Sequence, residues 1–373
     1  LNAGYFLYFL VMPQSDFFHI FQYVNEGIAS IPNVYALLQN IGVNPRNVSN
    51  IAFTFLQATL LINVVWLYRR GVENGKKSKL YNMPYLIGVA GDSGSGKSTF
   101  AELLSNIFGK KNIAVVAGDD MHKWERGHDM WQKYSHLDPG ANELHSDLEH
   151  ALALKGGSDV YRRHYDHGTG RFTFPNKLES KKVVIFEGLH SFYLAQMRRA
   201  LDLKVFIMPE ERLRTHWKLC RDMKDRGYSK EKVLESLEKR KKDSDTFIKT
   251  QEEYSDITIS LRSKEDLSDK LGEDIDVDIF LELKCGNNVN MDRLIQELSA
   301  FMIVDHFFSE QTQLVQVHGK IDETDIEKIS YHLLPELYEI VVQEPKWSSG
   351  YNGVIELFVC YYIINSLKFN EHG

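Results

Sequence analysis

Short apolar runs separated by helix-spaced polar stretches set the pattern over most of this chain. Leu86–Ala90, Ile113–Ala117, Lys182–Glu187, Leu203–Met208 and Ile257–Leu261 have the length and composition of buried strands. Between them, Thr99–Leu104, Asp147–Leu154, Glu211–Arg226 and Lys232–Lys242 carry helical spacing, the last opened by Ser229 at a cap position. Strands alternating with helices predict an α/β fold with a mainly parallel sheet. Further on, Ile275–Leu283 alternates with period two, and Leu314–Gly319 reads as its partner in a small antiparallel C-terminal extension. Gly353–Leu367 reads as an apolar helix packed on the core.

The first 80 residues break the pattern. Val48–Tyr68 is about the length of a membrane span, Trp66 and Tyr68 suit an interface, and Arg69, Arg70, Lys76, Lys77 and Lys79 follow. Up to Tyr68 the only basic Lys or Arg is Arg46. Basic residues after a span mark the cytoplasmic side, so residues 1–80 are expected to be a hydrophobic helical segment and linker. That segment would attach a cytoplasmic domain to the inner face of a membrane. Gln57, Thr59 and Asn63 interrupt the span and leave an ordinary amphipathic helical domain as the alternative. A cleavable signal peptide is not expected, because no basic region precedes Tyr5–Met12. The expected division is 1–80, a core over 81–262 and an α+β extension over 263–373.

The strand Leu86–Ala90 runs into Gly91-Asp92-Ser93-Gly94-Ser95-Gly96-Lys97-Ser98, an unbroken G-x-x-x-x-G-K-[ST], and Thr99 continues into a helix. Glycines let consecutive N–H groups face a phosphate at a helix N-terminus, Lys97 reaches the β- and γ-phosphates, and the Ser98 hydroxyl ligates Mg²⁺. The context predicts a P-loop, three-layer nucleotide-binding fold that takes a nucleoside triphosphate with Mg²⁺. Ligands of open α/β sheets bind beyond the carboxyl ends of the strands. Asp119 and Asp120, after the second strand, are therefore placed to hold a metal or take a proton, although turn formation or capping explains them equally. Tyr161–Phe174 is a loop excursion rich in Arg and His. A net charge of −7 and a pI near 6.1 argue against nucleic acid as partner. Cys220, Cys285 and Cys360 are too far apart in sequence for a zinc motif or a disulfide framework. The acidic residues after Ser263 lack EF-hand spacing.

Residues 84–261 resemble the phosphoribulokinase/uridine kinase family, more closely on its phosphoribulokinase side. The likeness rests on Gly118-Asp-Asp-Met-His122, Leu137-Asp-Pro-Gly-Ala-Asn142, Tyr165-Asp-His-Gly-Thr-Gly170, Phe186-Glu-Gly-Leu-His190 and Arg221-Asp-Met-Lys-Asp-Arg-Gly-Tyr228. Glu238–Asp243 and Gln251–Asp256 continue it in order, and Gly350–Phe358 is similar to the family's closing segment. The resemblance implies an ATP-dependent kinase that phosphorylates a hydroxyl of a small-molecule sugar phosphate, ribulose 5-phosphate being the first candidate. A uridine or nucleoside kinase, or a membrane-attached ATP-sensing module without turnover, are the alternatives. It further implies Asp119 as catalytic base, with Asp120 as the competing assignment, and Lys97 as a catalytic cation. Glu187 and Asp222 join Ser98 on the metal, Asp222 alternatively pairing with a lysine. His122 and Arg126 would contact the sugar phosphate, Tyr165 and His167 would form the acceptor loop, and Arg221 and Arg226 would hold phosphate. A homodimer is implied by family resemblance alone. Lys123-Trp124-Glu125, Arg162-Arg163 and the apolar N-terminal region depart from the family pattern, and Asp92 and Ser95 stand where plant-type members carry a redox cysteine.

Overall fold

The computed structural model describes residues 84–273, 275–341 and 343–369, together with Asn40, Asn63 and Val64; for 225–226 and 367–369 it describes the backbone alone. The chain divides into two units, residues 1–75 and 76–373, and the second is described here. Apart from those three positions, the 1–80 segment and its expected membrane span lie outside the described residues. Among the described residues no helix is long and apolar enough to cross a membrane.

The chain runs β1 (Tyr85–Ala90), α1 (Lys97–Phe108), β2 (Ile113–Ala117) and α2 (Leu144–Lys155). An excursion follows, formed by β3 (Val160–Arg162), β4 (Tyr165–Asp166), β5 (Arg171–Phe172) and β6 (Asn176–Leu178). Then come β7 (Val183–Gly188), α3 (Ala195–Ala200), β8 (Leu203–Ile207), α4 (Glu211–Arg226), α5 (Lys230–Asp243) and β9 (Ile257–Ser263). The remainder is β10 (Ile279–Gly286), α6 (Asp292–Leu298), β11 (Ile303–Phe308), β12 (Thr312–His318), α7 (Glu323–Leu333), α8 (Pro335–Ile340) and α9 (Gly350–Phe369).

One sheet carries the order β11-β12-β10-β9-β8-β1-β7-β2. From β9 to β2 neighbouring strands are parallel. From β9 to β11 they are antiparallel. The antiparallel extension thus continues the same sheet across β9. Its first strand starts at Ile279, four residues later than the period-two pattern suggested, because Ile279 lies opposite Ser263, where β9 ends. The loop excursion resolves into two small ribbons, β3 with β6 and β4 with β5.

Helices cover both faces. Leu104 and Ile107 of α1 pack with Leu294, Ile329, Val354 and Phe358 against Ile87, Val89 and Val205. On the other face, Leu154 of α2 and Met197 of α3 pack with Leu86, Val184, Phe186 and Phe206. Each such large side chain contributes about 1.5–3 kcal/mol on burial. Helix α9 is buried from Val354 to Ile364, so its unbroken apolar character belongs to the core. It also buries one carboxyl completely: Glu356 is 0% exposed and accepts from Ser348 N and Ser348 Oγ, both at 2.8 Å.

Burial pushes Glu356 up to about 7 from an ordinary 4.5, against the pull of the two Ser348 donors. The unfolded chain loses this proton at lower pH than the folded one, so the associated stability is present below pH 4.5 and lost as pH rises through 7. The wild type should therefore lose about 2–3 kcal/mol relative to Glu356→Gln between pH 5 and pH 8. Denaturant melts of both proteins at the two pH values measure this, and a pH-independent difference would contradict it.

Candidate active site

The buried strand β1 ends in a loop that only glycine permits at two points. A Cβ on Gly91 would stand 2.4 Å from the backbone oxygen of Ile207, and Gly96, at the N-cap of α1, has φ of +101°. Lys97 Nζ folds back and donates to Gly91 O at 3.0 Å and Asp92 O at 2.9 Å. Burial pushes its pKa down, while Glu187, Asp119 and Asp92 pull it up. Ser93, Gly94 and Ser95 form the crown of the loop, and the buried Ser95 Oγ has no hydrogen-bond partner. Asp92 closes the loop from inside: Oδ1 accepts from Ser93 N at 2.6 Å and Oδ2 from Ser244 Oγ at 2.5 Å, with Arg214 at 3.6 Å. Thr99 is exposed on the first turn of α1.

Parallel pairing levels the ends of three adjacent strands. Glu187 lies opposite Val89 of β1 on one side and Ala117 of β2 on the other. Ser98 Oγ donates to both Glu187 oxygens, at 3.0 and 3.1 Å. Burial pushes Glu187 above the ordinary glutamate range, opposed by Lys97 and Ser98. Ser98 and Glu187 are the expected metal-site oxygens that the structure brings together. Among the described residues there is no group of three or more His, Cys, Asp or Glu that could hold a metal.

After β2 the chain makes a 3₁₀ turn over Gly118–Met121. Glycine at 118 lets β2 and β7 approach, since a Cβ there would stand 3.0 Å from Gly188 Cα. The turn separates the two aspartates. Asp119 meets His167 Nε2 at 3.2 Å through Oδ2 and His122 Nε2 at 3.6 Å through Oδ1. Burial alone would raise Asp119, but the His167 hydrogen bond and the nearness of His122, His167 and Lys97 hold it well below the usual carboxylate range. Asp120 is buried and anchors the excursion, accepting from Tyr165 N at 2.8 Å and pairing with His164 Nδ1 at 3.0 Å.

His122 is buried, its Nδ1 2.8 Å from Asn142 Oδ1, and its ring packs edge-on against Trp131 and Tyr165. The exposed Arg126 donates to His167 O at 2.7 Å and Gly168 O at 3.4 Å, so it shapes the β4–β5 turn that carries His167. Tyr165 is buried edge-on to His167 and Phe172. The unusual Arg162-Arg163 pair is structural. Arg162 is buried and donates to Asp147 at 2.7 Å and Ala117 O at 3.1 Å, whereas Arg163 holds Asp120 O at 3.2 Å and covers the Phe172 ring.

Helix α4 lies against the P-loop. Arg214 donates to Ser93 O at 2.9 Å, and Lys218 donates to Asp222 at 2.9 Å and approaches Ser93 Oγ at 3.5 Å. Asp222 was expected on the metal; it is buried between Lys218 and Arg221, whose Nε donates to it at 3.0 Å. Burial works to raise Asp222, yet the two cations hold it below the usual carboxylate range. Lys218 is the lysine beside which Asp222 stands. Arg221 is half-exposed, and the side chain of Arg226 lies outside the described residues. Arg214 and Lys218 were legible only as members of a basic helix. Their spacing of four, continued by Asp222, is the signal that puts them on one face.

The family model for the phosphoribulokinase/uridine kinase family matches residues 86–268. A phosphoribulokinase from Synechocystis sp. is 38% identical over 185 residues, which cover 50% of this chain and 56% of that protein. The chloroplastic phosphoribulokinase of Spinacia oleracea is 33% identical over 201 residues, 49% of this chain and 50% of that one. The chain thus spans about half the length of these two relatives. A uridine kinase from Clostridium perfringens is 30% identical over 156 residues, 40% of this chain and 74% of that protein. In structure, a phosphoribulokinase from Rhodobacter spheroides aligns with a TM-score of 0.54 at 22% identity, covering 69% of this chain and 97% of that one, which shows the shared fold. With the P-loop, Asp119 and Glu187 on the ends of adjacent strands and these matches across the same region, the chain belongs to the phosphoribulokinase/uridine kinase family.

Proposed function

We propose that this protein transfers the γ-phosphoryl group of ATP to a hydroxyl of a sugar phosphate, with ribulose 5-phosphate the first candidate acceptor. The observation that carries the reading is Asp119, an ionised carboxylate held between two imidazoles at the end of the strand next but one to the P-loop strand. The glycine-lined loop with its unpartnered Ser95 hydroxyl fits nucleotide phosphates. Ser98 and Glu187 are hard oxygen donors in contact, which fits Mg²⁺, an ion that takes one or two carboxylates and completes its shell with water and phosphate oxygens. Bound there, Mg²⁺ supplies neutralisation of phosphate charge.

In this reading Lys97 leaves Gly91 O and Asp92 O for the phosphates, and Asp119 takes the proton of the acceptor hydroxyl as the new O–P bond forms. Phosphoryl transfer requires chiefly positioning and charge neutralisation, so one base and a set of cations suffice. Asp120 is committed to Tyr165 N and His164, which favours Asp119 as the base. His122, Arg126, Tyr165 and His167 would form the acceptor side, with Arg221 and Arg226 meeting phosphate. The cationic character of this side and the phosphoribulokinase names of the relatives favour a phosphorylated acceptor over uridine. We also propose a homodimer through β11. Among the described residues this strand lies at the edge of the sheet, paired on one side only, and exposes Ile303 (68%), Phe307 (51%) and Phe308 (67%), which suits antiparallel pairing with the same strand of a second copy.

ATP consumption by the full chain with Mg²⁺ should rise with ribulose 5-phosphate and stay at the no-acceptor level with uridine; the reverse would reassign the acceptor to a nucleoside. Asp119→Asn should keep ATP affinity within about twofold and lower turnover by about 10²–10⁴-fold, read by calorimetry and a coupled assay. Unchanged turnover would remove Asp119 from the base role. In solution the chain should have twice its 43.1 kDa mass by light scattering, and Phe308→Glu should halve that value. A wild type that already runs as a monomer would dispose of the dimer.

A further inference from the structure

The side chain of Asn142 touches His122, one residue removed from the base. Its Nδ2 donates to Asp138 O at 2.9 Å and His136 O at 3.2 Å. Carbonyl oxygens only accept, so these two bonds fix the amide orientation and leave Oδ1 facing His122 Nδ1 at 2.8 Å. Oδ1 cannot donate. Nδ1 of His122 must therefore carry the hydrogen, and the neutral form protonated only on Nε2 is excluded. Both residues are buried, 4% and 7% exposed, and their backbones form an isolated β-bridge. The ring is further held by Trp131, His136 and Tyr165, with centroids 5.6, 4.7 and 5.6 Å away.

Nε2 is then the ring position at which protonation varies, and it faces Asp119 Oδ1 at 3.6 Å. Protonated, the ring presents a cationic donor to an ionised carboxylate. Neutral, it presents a lone pair to the carboxylate before transfer. Once a proton reaches Asp119, that one proton lies between Nε2 and Oδ1. We propose that Asn142 is a positioning residue that locks His122 in the Nδ1–H form, so that Asp119 and His122 share a single proton during phosphoryl transfer. The proton leaving the acceptor hydroxyl for Asp119 meets a lone pair on Nε2 3.6 Å away, and a hydrogen bond between them forms only as that proton arrives. An interaction gained along the reaction lowers the barrier, whereas a neutral Nε2–H would stabilise the resting carboxylate instead. The other titratable groups facing His122 do not compete as cations: burial pushes His136 down to about 3 and His190 down to about 4. His167 occupies the second oxygen of Asp119.

The proposal rests on Asp119 as the base, and its test separates the two. The full chain is labelled with ¹⁵N-histidine, and His122 is assigned among the 14 histidines by loss of its signals in His122→Gln. In the wild type, the neutral form of His122 should show a protonated Nδ1 and an unprotonated Nε2. Asn142→Leu should switch it to Nε2–H and lower kcat by about tenfold, with KM for ATP unchanged within about twofold. A wild-type Nε2–H form overturns the proposal without any variant having to fold. So does a tautomer switch in Asn142→Leu that leaves kcat unaltered. Asp119→Asn should keep the Nδ1–H form because Asn142 sets it; full activity in that variant would sink the base reading, and a lost tautomer there would sink this one.

Discussion

The parallel register of β1, β7 and β2 is the constraint on which the site depends. Glu187 is level with Val89 and with Ala117, so the P-loop, the acid and the turn bearing Asp119 leave the sheet at one edge. A one-residue slip of β7 would turn Glu187 to the opposite face and away from Ser98. The apolar residues of these strands resist that slip, because both faces of the sheet are covered. Ile185 belongs to one core and Val184 and Phe186 to the other, so a one-residue slip would put each on the wrong side. Packing on two faces thereby sets the relative height of the chemical groups at the edge.

Around that edge, charge is organised by pairing. Asp119 sits between His122 and His167, Asp222 between Lys218 and Arg221, and Asp147 against Arg162. A buried charge without a partner is costly, so each pair fixes where its partner stands. Lys97 differs from these in being held by two backbone carbonyls, Gly91 O and Asp92 O. Carbonyls satisfy its donors without neutralising it, which suits a cation that must attract phosphate. Asp92, tied to Ser244 and Arg214, links the loop to the turn after α5 and to α4, so the nucleotide loop and the basic helix are parts of one assembly.

Residues buried by local apolar patterning were readable from the chain. The parallel strands appear within a residue or two of their apolar runs, since buried strands need continuous apolar sequence. Strand β11 was not, because it sits at an edge with Ile303, Phe307 and Phe308 exposed and lacks the alternation of a half-buried strand. Residues 275–278 alternate correctly but lie outside the paired strand, because β9 ends at Ser263. Periodicity describes what a segment can do, and a strand also needs a partner.

By itself the sequence determined the nucleotide loop, the α/β class and the family, because glycine spacing, apolar runs and ordered motifs are local properties of the chain. By resemblance it offered Asp119 as the base with Asp120 competing, and left Asp222 between a metal and a lysine. The tertiary structure decided their surroundings. A 3₁₀ turn sends one aspartate to two histidines and the other to Tyr165 N and His164, while the face of α4 that carries Arg214 and Lys218 meets the P-loop. His167, Asn142 and Ser244 acquired their contacts in the same way, from segments between 20 and 152 residues away from the groups they touch. Such contacts depend on how the elements pack across the sheet, and no short window of sequence contains that information.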